Sequence, residues 1–338
     1  MRIETSIMAP SIEALADTAR RLEELGYDSI TIGETGNDPF LPLMIIAEHT
    51  KSIKFGPGVA IAFPRSPFVT AQIAWDLQRY SGGRFHLGLG TQVKGHNERR
   101  YSTPWPSPPG PRLREYVLCL RAIFNTFQTG ARADFRGKHY QFTLISPVFN
   151  PGPNPNGHVP IYIAAVNNYN CRLAGEICDG VRLHSFNTTR YTKEVILPSI
   201  EEGARKAGRN LSDIDIVGAC TIVTGKNAEE IEKAKGPVKQ RIAFYGSTRT
   251  YHPVFQLHGW DEVGLRLHRL SLEGKWEEMA NEITDEILDE FAVVGTYDEL
   301  VPKIKERYAG LVSTLGFPIR GIEDQGRLDW IVQEIKKL

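Results

Sequence analysis

Hydrophobic and polar positions along the chain alternate between two periods, and the alternation repeats. Arg2 to Ile7 reads as a short strand. After Ser11, a residue suited to an N-cap, Ala14, Leu15, Leu22 and Leu25 recur at helical spacing, and Gly26 closes the pattern. The same reading predicts strands at 28–32, 53–62, 85–89, 160–165, 180–183, 214–224 and 291–294. Helices are predicted at 42–49, 66–80, 113–127, 168–177, 192–207 and 297–308, and a small hairpin at 137–144. Eight strand–helix units in one chain favour a closed parallel barrel, α/β in class, over an open sheet.

Two stretches interrupt the repeat. Residues 94–111 follow strand four and are rich in proline. Residues 236–281 separate the helix after strand seven from strand eight. Long connections at the carboxyl ends of barrel strands are where such folds build their sites. A length of 338 residues accommodates a barrel plus these insertions as a single domain over 1–338.

Composition narrows the function classes. Forty basic and forty acidic residues give zero formal net charge. No basic stripe stands out, which argues against nucleic acid or an anionic membrane as partner. No apolar run reaches membrane-spanning length, and MRIETSIMAP does not have the character of a signal peptide. Cys119, Cys171, Cys178 and Cys220 form no CxxC pair, and Cys171 and Cys178, on one helical face, read as buried thiols, consistent with a reducing, cytoplasmic setting. HxH and HExxH spacings are absent, so no metal site is expected.

Candidate chemistry clusters at the predicted strand ends. Gly88-Leu89-Gly90-Thr91 ends strand four, placing small residues where a flat ring system fits; simple tight packing is the alternative. Ala164-Ala165-Val166-Asn167-Asn168 ends strand five and opens a helix, where free amides suit an anion; Asn167 as a plain cap is the alternative. Arg190 is a phosphate partner or a solvated surface cation. Gly58-Val59-Ala60 lies within strand three, where a glycine marks a bulge or an ordinary strand. Glu34, His96 and Glu98 are proton-transfer candidates, with salt bridges as the alternative for both glutamates. His86 reads as an interior histidine. His184, ending strand six, is balanced between the two roles.

These residues carry a family resemblance. Ser81-Gly82-Gly83-Arg84-Phe85-His86-Leu87-Gly88-Leu89-Gly90-Thr91 resembles the luciferase-like monooxygenase superfamily. So do Gly58-Val59 with Phe63-Pro64-Arg65-Ser66-Pro67, and Ala164-Ala165 followed by Ala174-Gly175 and Asp179-Gly180. Residues 92–100 and 242–248 are similar to a subgroup dependent on coenzyme F-420, a deazaflavin. The resemblance covers residues 1 to about 310 and implies a luciferase-like (β/α)₈ TIM barrel with a cofactor across its carboxyl-terminal mouth. It also implies a non-prolyl cis peptide at Gly58-Val59, a phosphate site at Val166, Asn167 and Asn168, and an insertion bearing Tyr245, Gly246 and Ser247 that closes over the cofactor. The implied activity is hydride transfer between reduced deazaflavin and a small organic substrate, in a homodimer. Two alternatives stand beside it: an FMN-dependent monooxygenase, and a cofactor-free barrel acting as a binding protein. Gly33-Glu34-Thr35-Gly36 occupies the place where a sugar-phosphate dehydrogenase of this superfamily has a histidine, so that chemistry does not transfer.

Overall fold

The computed structural model describes residues 1–8 and 11–338. In chain order the strands are β1 (Arg2–Ser6), β2 (Ser29–Ile32), β3 (Lys54–Pro57), β4 (Ala60–Ile61), β5 (Leu87–Gly90), β6 (Phe135–Arg136), β7 (Gln141–Phe142), β8 (Ile161–Ala165), β9 (Gly180–Leu183), β10 (Asp215–Ala219), β11 (Ile222–Gly225), β12 (Val293–Thr296) and β13 (Thr314–Gly316). Nine of them form one parallel sheet in the order β3-β2-β1-β13-β10-β9-β8-β5-β4. β3 and β4 are the two halves of a single stave, broken at Gly58-Val59. The ring closes across that stave: β4 pairs with β5, and Phe55 bridges to Phe85. The result is a closed eight-staved parallel barrel, as the alternating periodicity predicts.

The helices form where their local signals allow. Helix Ile12–Leu25 starts on the Ser11 hydroxyl, which accepts from the Ala14 amide at 3.2 Å, and ends on Gly26 at φ 90°, a conformation that favours glycine. It buries Leu15, Ala19, Leu22 and Leu25 against the sheet. Helices Pro67–Tyr80 and Pro109–Thr129 pack through Trp75, whose ring stacks on Phe124 at 5.5 Å. Both begin with proline in the first turn, where its missing amide is no loss.

Two predicted strands need correction. The run 214–224 is not one stave: β10 is in the barrel, whereas β11 turns away at Cys220-Thr221 and pairs with β12 in a separate two-stranded sheet. The predicted eighth strand at 291–294 therefore falls on β12, outside the barrel. The closing stave is β13, which joins β1 (Ile3 beside Leu315) to β10 (Gly218 beside Leu315). The apolar, β-branched Val293-Val294 is the stronger local signal. Thr314-Leu315-Gly316 has only three residues and is selected by the gap it fills. The insertion is also larger than 236–281: helices Ala228–Gly246, His252–Leu257, Asp261–Leu272 and Asp285–Phe291 lie between β11 and β12. The predicted hairpin forms from β6 and β7, two residues earlier in the chain than the 137–144 expected for it.

Below the strand ends the barrel interior is polar. Arg182 on β9 makes a two-pronged contact with Glu4 on β1, with Nη2 at 2.9 Å from Oε2 and Nη1 on Oε1. Its Nη2 also lies 2.7 Å from His86 Nε2. A guanidinium only donates, so that imidazole nitrogen accepts and the ring is neutral. Burial and Arg182 both push His86 well below its ordinary pKa. His86 is thus the interior histidine expected. Tyr162 packs on its ring and reaches Asp215 at 2.8 Å.

Candidate functional site

The mouth is built around the break between β3 and β4. The Gly58-Val59 peptide is cis, as the family resemblance implies. A side chain at Gly58 would fall 2.7 Å from Thr31 Cβ, so the backbone lies directly against β2. The Val59 side chain takes the space beside Gly90: a Cβ there would sit 2.6 Å from Val59 Cγ2. Gly90 is small because Val59 projects across it, a reason that strand periodicity does not reveal. A Cβ on Gly33 would meet only the Gly58 carbonyl, at 3.6 Å. Gly33, Gly58, Val59, Thr91, Ala164 and Val166 all stay partly accessible at the strand ends.

Glu34 anchors the break. Its side chain is only 5% exposed. Oε2 accepts from the Ile61 amide at 2.7 Å and from Arg65 Nη1 at 2.7 Å. Arg65 reaches on to Asp38 at 2.8 Å. The second oxygen of Glu34 accepts from the Tyr101 hydroxyl at 3.2 Å. Burial and the neighbouring Glu34 charge push the Tyr101 phenol above its ordinary range. Glu34 therefore is in a salt bridge, and it also links β2, β4 and the loop after β5. Tyr101 completes a pair that periodicity could not find, because it comes from the proline-rich insertion.

The other two proton-transfer candidates are placed differently. His96 and Glu98 lie on the short helix Lys94–Arg99 beyond β5, and both are exposed. Glu98 faces Lys94 at 4.0 Å, the surface pairing foreseen as an alternative. Between them, Asn97 is fully buried and pins the loop, donating to the Thr91 carbonyl at 2.9 Å and the Val93 carbonyl at 3.1 Å. Trp105 packs edge-on against Phe63, and Trp260 stacks on His258, so both make aromatic contacts within the fold.

At β8, Ala164 and Ala165 end the strand and Asn167 caps helix Asn168–Ile177, its Oδ1 accepting from the Asn170 amide at 2.9 Å. Val166, Asn167 and Asn168 bring backbone amides to the mouth at a helix start, a setting that favours an anion. Arg190 is half-exposed and held by Glu194 at 2.9 Å.

The insertion meets the mouth through Tyr245. Its ring stands edge-on to His184 at 4.5 Å. Gly246 and Ser247 turn elsewhere: a Cβ on Gly246 would press on Phe255, and the Ser247 hydroxyl bonds to the Phe244 carbonyl. Phe186, two residues on from His184, packs on Tyr251, Phe255 and Phe291 and ties the insertion to the end of β9. All four cysteines are free and buried. Among the described residues, no helix is long and apolar enough to cross a membrane.

A family model described as "Luciferase-like monooxygenase" matches residues 1–314. An uncharacterized protein of Mycobacterium tuberculosis is 38% identical over 322 residues, covering 95% of this chain and 94% of its own. The 5,10-methylenetetrahydromethanopterin reductase of Archaeoglobus fulgidus is 31% identical over 324 residues, covering 93% and 92%. Among solved structures, the coenzyme F-420-dependent tetrahydromethanopterin reductase of Methanopyrus kandleri superposes with a TM-score of 0.80 at 23% identity, over 99% of this chain and 98% of that one.

Proposed function

This chain belongs to the luciferase-like monooxygenase family, and from that premise we propose that it is an oxidoreductase transferring a hydride between coenzyme F-420 and a small organic substrate. The observation that carries the reading is the open, small-residue mouth at the Gly58-Val59 break, fixed from behind by the buried Glu34 carboxylate. A flat ring fits beside Gly33, Val59 and Ala164, and the amides of 166–168 suit an anionic tail. The similarity to a protein described as coenzyme F-420 dependent favours the deazaflavin over FMN.

When bound, a deazaflavin supplies the hydride, and the chain supplies orientation, burial and a proton. In this reading Gly58 and Val59 shoulder the ring, with Thr91 beside it, and Ala60 and Gly90 are buried behind them and shape the stave. Ala165, Val166, Asn167 and Asn168 receive the phosphate end. Arg190 adds positive charge at the rim, and Tyr245 closes from the insertion. Glu34 holds the proton relay through the Tyr101 hydroxyl, because an acid or base must combine burial with hydrogen-bond reach. His96 and Glu98, the other two proton-transfer candidates, lie exposed on the helix beyond β5, outside that relay. A homodimer in the cytoplasm completes the proposal.

Titration of the purified protein with coenzyme F-420 and, separately, with FMN tests it. Saturable quenching of deazaflavin fluorescence is the expected result. Binding of FMN with oxygen-dependent turnover, and none of the deazaflavin, rejects the cofactor assignment. Affinity for neither returns the chain to the class of barrels that act as binding proteins.

A further inference from the structure

Although 24% of the chain is charged, no Asp, Glu, Lys or Arg lies between Lys138 and Arg172. The first part of that stretch is a strap running from β7 to Asn150. It carries three strongly exposed apolar side chains, Leu144 at 86%, Val148 at 88% and Phe149 at 67%. The strap is tied at both ends. Before it, Glu115 accepts from the amides of His139 and Tyr140, each at 2.6 Å. At its far end Asn150 donates to the Thr126 carbonyl at 3.3 Å and accepts from the Gly152 amide at 2.9 Å, and the Trp75 indole donates to the Gly152 carbonyl at 3.1 Å. Beneath it the buried Phe142 packs on Phe68, which in turn stands edge-on to Phe127. The backbone therefore holds Leu144, Val148 and Phe149 outward as a fixed ridge. Beside the ridge lies a hollow of about 590 Å³, whose apolar walls are Phe68, Phe142, Ile145 and the flanks of Leu144 and Phe149. Val69, next to Phe68 on helix Pro67–Tyr80, is 49% exposed.

The exposed apolar side chains of Val69, Leu144, Val148 and Phe149 offer on the order of 500 Å², toward the upper end of what a lone monomer shows. With Gln141, Thr143 and Pro147, all exposed and uncharged, the face reaches on the order of 800 Å², the share that each partner gives to a stable interface. Its shape selects the occupant. A ridge and an apolar hollow side by side on one face are self-complementary, because under a two-fold axis the ridge of each copy enters the hollow of the other. The absence of charge agrees: two copies bring no like charges together there, and interface centres are poor in Lys, Glu and Asp. The fixed backbone adds to this, since little ordering is left to be done on association. We infer that the strap 141–149, with Phe68 and Val69, is the face through which two copies of this chain associate. The inference rests on the homodimer reading and gives that dimer its interface.

Sedimentation velocity of the full chain tests it. The wild type is expected to sediment as a dimer at micromolar concentration. Leu144→Lys/Phe149→Lys is expected to sediment as a monomer, its association weakened about 100-fold or more, because two charges would enter an apolar interface centre. Circular dichroism checks that the variant is folded, and Val148→Lys replaces it should it fail. Leu41→Lys, which changes a 76% exposed side chain on helix Leu41–His49, should remain a dimer. A second readout is labelling of Val148→Cys with a thiol dye. The four native thiols are buried, so the dye reports the ridge, and labelling should quicken as the protein is diluted through its dissociation constant. A strap variant that stays dimeric overturns the inference and leaves the homodimer reading standing. So does a dimeric Val148→Cys protein that labels at one rate at every concentration, or a dimer that only Leu41→Lys dissociates. A monomeric wild type overturns both, and if that monomer floats with phosphatidylcholine vesicles the ridge belongs to a membrane contact. Deazaflavin quenching on the same samples is read separately, so a wrong cofactor and a wrong interface give different outcomes.

Discussion

Replacing Arg182 with methionine is the sharpest probe of how the barrel interior is held. The guanidinium and the Glu4 carboxylate are 10% and 7% exposed, and each is the other's charge partner. Methionine has similar reach and no charge, so Arg182→Met leaves Glu4 buried with its counter-ion gone. Breaking a buried pair from one side costs about 3–5 kcal/mol. Unfolding entropy of about 2.1 cal/mol/K per residue, over 338 residues, makes each degree of Tm worth about 0.7 kcal/mol, so Tm should fall by about 4–7 °C. Removing both charges in Glu4→Leu/Arg182→Met should recover most of that loss, since a buried pair exchanged for apolar side chains is close to neutral.

The single variant should also acquire a pH signature. With Arg182 gone, His86 loses a repelling cation and stands in a layer that holds an unpaired carboxylate. Its folded pKa then rises from its depressed value toward the ordinary one, although burial still holds it down. Stability tied to the neutral ring is present above about pH 6.5 and is lost as pH falls, and the variant loses less of it than the wild type. The deficit of Arg182→Met against the wild type should therefore be smaller at mildly acidic pH than at pH near 8. Denaturant unfolding monitored by circular dichroism at two pH values measures both effects. A loss below about 1 kcal/mol for the single variant, or a double variant less stable than the single one, would refute the reasoning.

Three further predictions follow from the same contacts. Glu34→Gln keeps the shape but removes the charge that Arg65 and the Ile61 amide share, and should cost about 1–3 kcal/mol in chemical denaturation while weakening deazaflavin binding. His184 has a folded pKa of about 4 against an ordinary 6.5, so its contribution is intact above pH 6.5 and is lost as pH falls toward 4; acid titration of stability should show about 3 kcal/mol of slope that His184→Phe abolishes. Burial holds the thiols of Cys119, Cys171, Cys178 and Cys220 up at about 12, so a thiol-disulfide dye should leave the native protein unlabelled and react with all four once it is unfolded.

The repeating switch from strand to helical period was enough to determine a parallel barrel, because each amphipathic element must bury its apolar face and eight such units close most simply on themselves. Local signals also set the Ser11 and Asn167 caps, the Gly26 stop and the hairpin at 135–142, since these depend on neighbours a few residues away. The break in the third stave at Gly58-Val59 came from the family resemblance, since strand periodicity left a bulge and an ordinary strand equally open.

Tertiary structure alone decided the closing strand. Thr314-Leu315-Gly316 is too short to announce itself and exists as a strand because β1 and β10 leave a gap of its width. Val293-Val294 carries the stronger local preference and pairs outside the barrel with β11. The grouping of side chains at the mouth was equally beyond periodicity. Glu34 meets Tyr101 across 67 positions of sequence, and His184 meets Tyr245 and Tyr251 across more than 60. Periodicity reports which face a residue presents, whereas a hydrogen bond or a ring contact depends on where two distant elements come to lie. The path of the loop after β5 decides the first contact, and that of the insertion between β11 and β12 decides the second.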